Sequence, residues 1–110
     1  MAGRFTPREV SALRERTLCE AIRRRHLLEF KYHGLKRVIA PYAHGVSSRG
    51  TEVLRGVQVA GDSRSGGFNF GKLWAVADMV DVRISEVSFM PNDPGYDPED
   101  SGMREIHCRI

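Results

Sequence analysis

Beyond residue 26 the chain takes up a period of two, and that period restricts it to a mainly β fold. Leu28, Phe30 and Tyr32 alternate with Glu29, Lys31 and His33, and Gly34 then turns the chain. Side chains of a strand point alternately to its two faces, so this spacing buries one side and wets the other. Residues 37–46, RVIAPYAHGV, make a second strand. Pro41 must bend it or place it at an edge, since proline has no N–H for the ladder. Ser47-Ser48-Arg49-Gly50 is a turn. In 52–60 one face carries Val53, Arg55, Val57 and Val59, and the other Glu52, Leu54, Gly56, Gln58 and Ala60. A glycine inside such a run, Gly56, marks a sharp bend or a close backbone approach. GDSRSGG (61–67) is a flexible loop, and FNFGKLWAV (68–76) and MVDVRISEVSF (79–89) supply two further strands.

A helix precedes the strands. Thr6 can cap it, Pro7 suits the first helical position and Glu9 stands where a capping box needs its acid. From there to about Arg25 there is neither Gly nor Pro, and Val10, Leu13, Thr17 and Ala21 with Leu18 and Ile22 form an apolar stripe. Arg14 interrupts that stripe, so it either snorkels off the core or marks a break. Glu20 and Arg24 are placed for an i,i+4 ion pair. Arg23, Arg24 and Arg25 close the helix, where cations favour the exposed carbonyls; the other reading of this triplet is the rim of an anion site.

One helix and five short strands are too few for a two-sheet sandwich. They suit a small, strongly bent barrel that removes its own edges. From Met90 the chain is turn-rich and acidic, although Ile106, Cys108 and Ile110 alternate as a short terminal strand would. The expected organisation is an N-terminal helix over 1–26, a β-barrel over 27–90 and an acidic tail over 91–110.

The chain has 110 residues, 41% hydrophobic and 28% charged, which is one small domain. No run reaches the ~20 apolar residues of a membrane helix, and MAGRFTPREV lacks a secretion signal's apolar centre. A soluble cytoplasmic protein is expected, with Cys19 and Cys108 as reduced thiols that fit no metal spacing. His26, His33, His44 and His107 do not cluster in metal spacing either. No nucleophile elbow, P-loop or zinc-protease motif is present, so no enzyme, no cofactor and no metal is expected. The charge is uneven: net +3 overall, it divides as +6 over 1–90 and −3 over 91–110. The basic residues are almost all arginine, whose planar fork suits phosphate or carboxylate.

Arg55, between Val53 and Val57, stands on what the pattern makes an inward face, where a charge needs partners or a wet cavity. Lys31 and Arg37 flank the Gly34 turn on adjacent strands. Tyr32, Phe70 and Trp74 offer aromatic faces to bases. The acidic tail, through Asp93, Asp97, Glu99 and Asp100, is expected to fold over the basic face and weaken anion binding.

From about Ala21 to Phe89 the chain resembles a WYL domain, a ligand-sensing module of bacterial transcription regulators. The residues carrying the resemblance are LEFKY (28–32), a glycine turn, RVIAPY (37–42), Leu54 at the end of the strand that names the family, and KLWAVADM (72–79). Glu52-Val53 stand where the family has Trp-Tyr, and Asp78 takes the place of an arginine. The resemblance implies an Sm-like/SH3-like fold and binding of nucleic acid or nucleotide-like ligands. Carried onto this chain, it points to Tyr32, Arg37 and Lys72, with Trp74 for the family's Phe; Asp78 removes one anion contact. The expected function is a non-enzymatic sensor of a nucleotide or single-stranded nucleic acid, through Tyr32, Arg37, Arg55, Lys72 and Trp74. The alternative is a protein–protein module that forms a homo-oligomer or docks on a separate regulator, with Val53, Val57 and Val59 at the interface.

Overall fold

The computed structural model describes residues 6–62, 72–91 and 94–110. Helix α1 spans Pro7–Arg24, followed by strands β1 (His26–Tyr32), β2 (Leu35–Ser47), β3 (Glu52–Gly61) and β4 (Leu73–Ala75). A 3₁₀ turn at Val76–Asp78 leads into β5 (Met79–Ser88), and β6 (Met103–Arg109) ends the chain. The expected loop at 63–67, the start of the expected strand at 68–71, Phe70 and Asp93 lie outside the described residues.

Helix α1 begins as its sequence dictates. The Thr6 hydroxyl accepts from the Glu9 N–H and Glu9 Oε1 accepts from the Thr6 N–H, both at 3.2 Å. The helix is unbroken. Arg14 is half-buried, its guanidinium donating to the Val76 carbonyl at 3.3 Å. Only the later turns pack inward, through Leu18, Ala21 and Ile22. Val10 and Leu13 remain 42% and 41% exposed, so the amphipathic stripe is longer than the surface that covers it. The end of the helix is set by Arg25, which adopts the left-handed conformation (φ 57°) and donates its side chain to the Ile22 carbonyl at 2.8 Å. Arg23 and Arg24 both face Glu20, with Arg23 the nearer.

The strands form one antiparallel sheet of six, ordered β4-β3-β2-β1-β5, with β6 added to β2. β1 and β2 meet in a two-residue hairpin at His33-Gly34, both with positive φ, the turn whose twist matches paired strands. β2 is long enough to serve two neighbours end to end. Its first half pairs with β1 as far as Ile39, and its second half pairs with β6 from Ala43. Pro41 falls in the gap between these ladders, opposite Gly56, where the β2–β3 ladder shifts register with Tyr42 as the extra residue on β2. Gly56 is required there, because a Cβ would stand 2.5 Å from Ile39 Cγ2 and 3.0 Å from the Ala40 carbonyl oxygen.

Two of the expectations need correcting. The sheet has six strands and is not closed: its outer members, β4 and β5, exchange no ladder bonds and are joined by the 3₁₀ turn. Three-residue β4 is too short to complete a ring. Cys19 and Cys108 are not thiols but a disulfide, spanning 89 positions and tying α1 to β6. No helix among the described residues is long and apolar enough to cross a membrane.

The main core lies between α1 and the inner face of the sheet, around Leu28, Phe30, Ile39, Leu54 and Trp74. A smaller cluster, Ala43, Val53 and Met103, sits on the other face under the C-terminal segment. That segment is held down by Tyr96, whose hydroxyl donates to the Ile110 carbonyl at 3.1 Å, and by Arg109, which donates to the Pro98 carbonyl at 2.6 Å.

Candidate functional site

Four of the five site residues named from the sequence come together at one end of β1, β2 and β4. The Gly34 hairpin places Phe30 opposite Arg37, so Arg37 enters the inner face beside Tyr32. The short pairing of β4 with β3 then brings Trp74 opposite Leu54. Phe30, Tyr32 and Trp74 pack edge to face, with centroids 5.1–6.1 Å apart. This geometry suits the ring quadrupoles and fixes the rings' orientation. Trp74 Nε1 donates to the Gly56 carbonyl at 3.3 Å, and the Tyr32 hydroxyl accepts from the Ala75 N–H at 3.1 Å.

Arg37 is only 3% exposed. Its Cζ lies 5.5 Å from the Trp74 centroid and 5.9 Å from that of Tyr32, and one terminal nitrogen donates to Gln58 Oε1 at 3.2 Å. Gln58 is itself fixed by donating to the carbonyls of Ala60 and Asp62. Among the described residues, Arg37 Nε is buried with no hydrogen-bond partner. Lys72 covers the same indole, its Nζ 4.2 Å from the ring centroid. Partial burial, and then the nearby Arg37 guanidinium, hold the Lys72 ammonium below its usual value. Among the described residues, no ion pair includes Arg37 or Lys72. Two cations thus share one aromatic wall. Cation–π attraction of ~0.5–2 kcal/mol offsets only part of the cost of burying such a charge.

The fifth residue, Arg55, is elsewhere. It lies on the opposite face of β3, where its Nε and a terminal nitrogen donate to the two Asp100 oxygens, each at 2.8 Å. That contact holds the Asp100 carboxyl below its usual value. The tail therefore does fold onto a basic residue, but not onto the Arg37–Lys72 pair. Lys31 faces outward toward Asp81 and Asp78 toward His33, so neither joins the site. Trp74 is 1% exposed, which makes it a wall and not a platform for bases.

A second feature was not anticipated as a unit. Arg16, Arg23, Arg25 and Arg109 rim a cleft of 640 Å³ whose floor includes the Cys19–Cys108 disulfide. Arg23 and Arg25 finish the helix and also line this cleft. Behind the disulfide is His44, fully buried, with Nε2 2.7 Å from Glu52 Oε2. Spacing along the chain gives no sign of this group, because its members come from α1, β2, β3 and β6.

No family model, curated protein or solved structure matches the chain. The chemistry of the two clusters has to be argued from the residues themselves.

Proposed function

We propose that the chain is a non-enzymatic module of the WYL-like, Sm-like/SH3-like kind that binds the phosphate of a nucleotide or of a single-stranded nucleic acid at Arg37 and Lys72. The observation that carries this is Arg37: a nearly buried guanidinium whose Nε donor has no partner among the described residues. Such a donor costs about 1–3 kcal/mol when left unmade, so an acceptor reaching it is favoured by that much. Lys72 supplies a second cation at the same place. Tyr32 and Trp74 exclude water and lower the local dielectric, which strengthens attraction for an anion. The 3₁₀ turn joining the outer strands of a curled sheet is in keeping with a small SH3-like architecture. A cytoplasmic location and a role in sensing belong to the same proposal.

The test uses Trp74, the single tryptophan of the chain and a wall of the site. Its fluorescence is followed while nucleotides and short oligonucleotides are added at low and moderate salt. Saturable quenching is expected, with an oligonucleotide affinity that falls with salt at a log–log slope of about −1.4 for two phosphate contacts on a single strand. Lys72→Ala should weaken binding at least tenfold without lowering the melting temperature. Flat titrations at tens of micromolar protein would refute the proposal.

The alternative is a protein–protein module. Val53 is buried, but Val57 is half-buried and Val59 exposed on the same face of β3, and further exposed apolar residues are Val10, Leu13, Val80, Val87 and Met90. Light scattering across a concentration series tests it, and a constant monomer mass argues against self-association.

A further inference from the structure

We propose that Cys19, Cys108 and His44 form a three-residue zinc site that opens when the disulfide is reduced. The proposal is independent of the anion site at Arg37.

The geometry begins with His44. It is fully buried on β2, directly opposite Cys108 in the β2–β6 ladder, while Cys19 comes down from α1. Glu52 Oε2, 2.7 Å from Nε2, can only accept, so it places the ring proton on Nε2. The Nδ1 lone pair then points at Cys19 Sγ, 3.8 Å away. A disulfide sulfur has no proton to donate, so it offers no donor to an Nδ1 lone pair. A carboxylate behind the distal nitrogen of a histidine is the usual outer support of a metal-bound imidazole.

The distances suit zinc. Tetrahedral coordination with Zn–S about 2.3 Å and Zn–N about 2.0–2.1 Å separates sulfur from nitrogen by about 3.6 Å. The observed separation of 3.8 Å is already close. Ligand atoms of Cys19, His44 and Cys108 all lie within 4.8 Å of one another. Glu15, His44 and His107 form a separate group of the same kind that has only His44 in common with the first. The sulfurs themselves must part to about 3.8 Å, the tetrahedral S···S distance.

The chemistry balances with a two-electron reductant. A dithiol or phosphine delivers two electrons to the S–S bond and two protons complete the thiols; the reductant leaves as a disulfide or a phosphine oxide, the latter taking its oxygen from water. Zinc then displaces both thiol protons, and two thiolates neutralise the ion before Glu52 is counted. The disulfide lines the arginine-rimmed cleft, so a reductant can reach it without unfolding the chain.

The experiment compares the full chain oxidised and reduced by a phosphine, in metal-free buffer, titrated with Zn²⁺ against a chromophoric chelator and with Co²⁺ by absorption. Expected for the reduced chain are one zinc per chain, release of two protons, and a thiolate-to-cobalt charge-transfer band with the visible bands of tetrahedral cobalt. The oxidised chain and the Cys19→Ser/Cys108→Ser variant should bind at least a hundredfold more weakly. Glu52→Gln should weaken zinc about 10–100-fold while leaving the two thiolate ligands visible in the cobalt spectrum. If reduction unfolds the apo chain, zinc should restore its circular dichroism, since ligand binding and folding are then coupled. The proposal is overturned if the reduced chain takes up no zinc at one equivalent, if it neither binds nor refolds, or if the oxidised chain binds equally well.

Discussion

Replacing Asp100 by Asn tests the assignment of Arg55 to structure and not to ligand. The Arg55 and Asp100 side chains are 14% and 6% exposed and share two hydrogen bonds of 2.8 Å. Breaking a fully buried pair by removing one charge costs about 3–5 kcal/mol. Arg55 keeps a little contact with water, and Asn preserves one acceptor, so the expected cost is nearer ~2–3 kcal/mol. Asparagine is the suitable replacement because residue 100 has a positive φ (31°), which Asn tolerates better than Ala. At about 4 °C per kcal/mol for a domain of this size, the melting temperature should fall by ~8–12 °C. The contribution also has a definite pH dependence. Pairing with Arg55 depresses the folded-state value of Asp100. Its stabilisation is therefore full above the ordinary carboxylate range and disappears as pH falls through the depressed folded value. Urea unfolding followed by Trp74 fluorescence and far-UV circular dichroism measures both effects. Wild type and variant should converge in acid, and Arg55→Met combined with Asp100→Asn should recover part of the loss. A cost below ~0.5 kcal/mol, far short of any buried pair, or a gap that stays constant into acid, would refute the argument.

Other perturbations bear on other parts of the fold. Gly56→Ala should destabilise by about 1–3 kcal/mol in chemical denaturation, because its Cβ meets Ile39 and the Ala40 backbone and neither can withdraw without moving the strand. Cys19→Ser with Cys108→Ser releases a link spanning 89 positions and should lower the unfolding free energy by about 4–5 kcal/mol on the chain-entropy model, measured in metal-free denaturant titrations. Lys72 carries a depressed value in the free protein, and an anion would raise it. Nucleotide affinity should accordingly fall as pH rises through that value, and calorimetry in buffers of different ionisation heat should show proton uptake on binding just above it. Without ligand, stability should rise over the same range, because the unfolded chain holds the Lys72 proton more tightly than the folded one.

Features decided by neighbours in sequence were legible in it. The capping box at Thr6 and Glu9, the alternation of β1, the hairpin at Gly34 and the close approach at Gly56 each depend on residues a few positions apart. The same locality explains the errors. Val10 and Leu13 have the helical spacing of core residues, but no pattern within α1 tells that the sheet beneath ends near Leu18. Arg55 looks inward because it alternates with valines; the face it shares with Val53 has its own small cluster, and its partner lies 45 positions away in a segment that reads as loose tail. Arg37 was legible as a basic residue beside a turn, but its burial follows from the hairpin register that sets it against Phe30. The Cys19–Cys108–His44 cluster had no local signature, since three separate elements deliver it.

Arginine content alone is weak ground for a ligand, and the structure shows why. Arg14 serves a carbonyl of the 3₁₀ turn, Arg23 and Arg24 face Glu20, Arg25 caps α1, Arg55 holds Asp100, Arg83 meets Glu29 and Arg109 fastens the C-terminal segment. Each of these charges has a partner that accounts for it without an external anion. Arg37 is different in kind: its described contacts are two aromatic rings and a neutral amide, one of its donors is unmade, and a second cation stands against the same indole. Cation–π attraction offsets only part of the cost of bringing two positive charges to one aromatic wall. That arrangement is costly without an anion and favourable with one, and this difference, not the net charge of the chain, is the physical reason to look for a phosphate there.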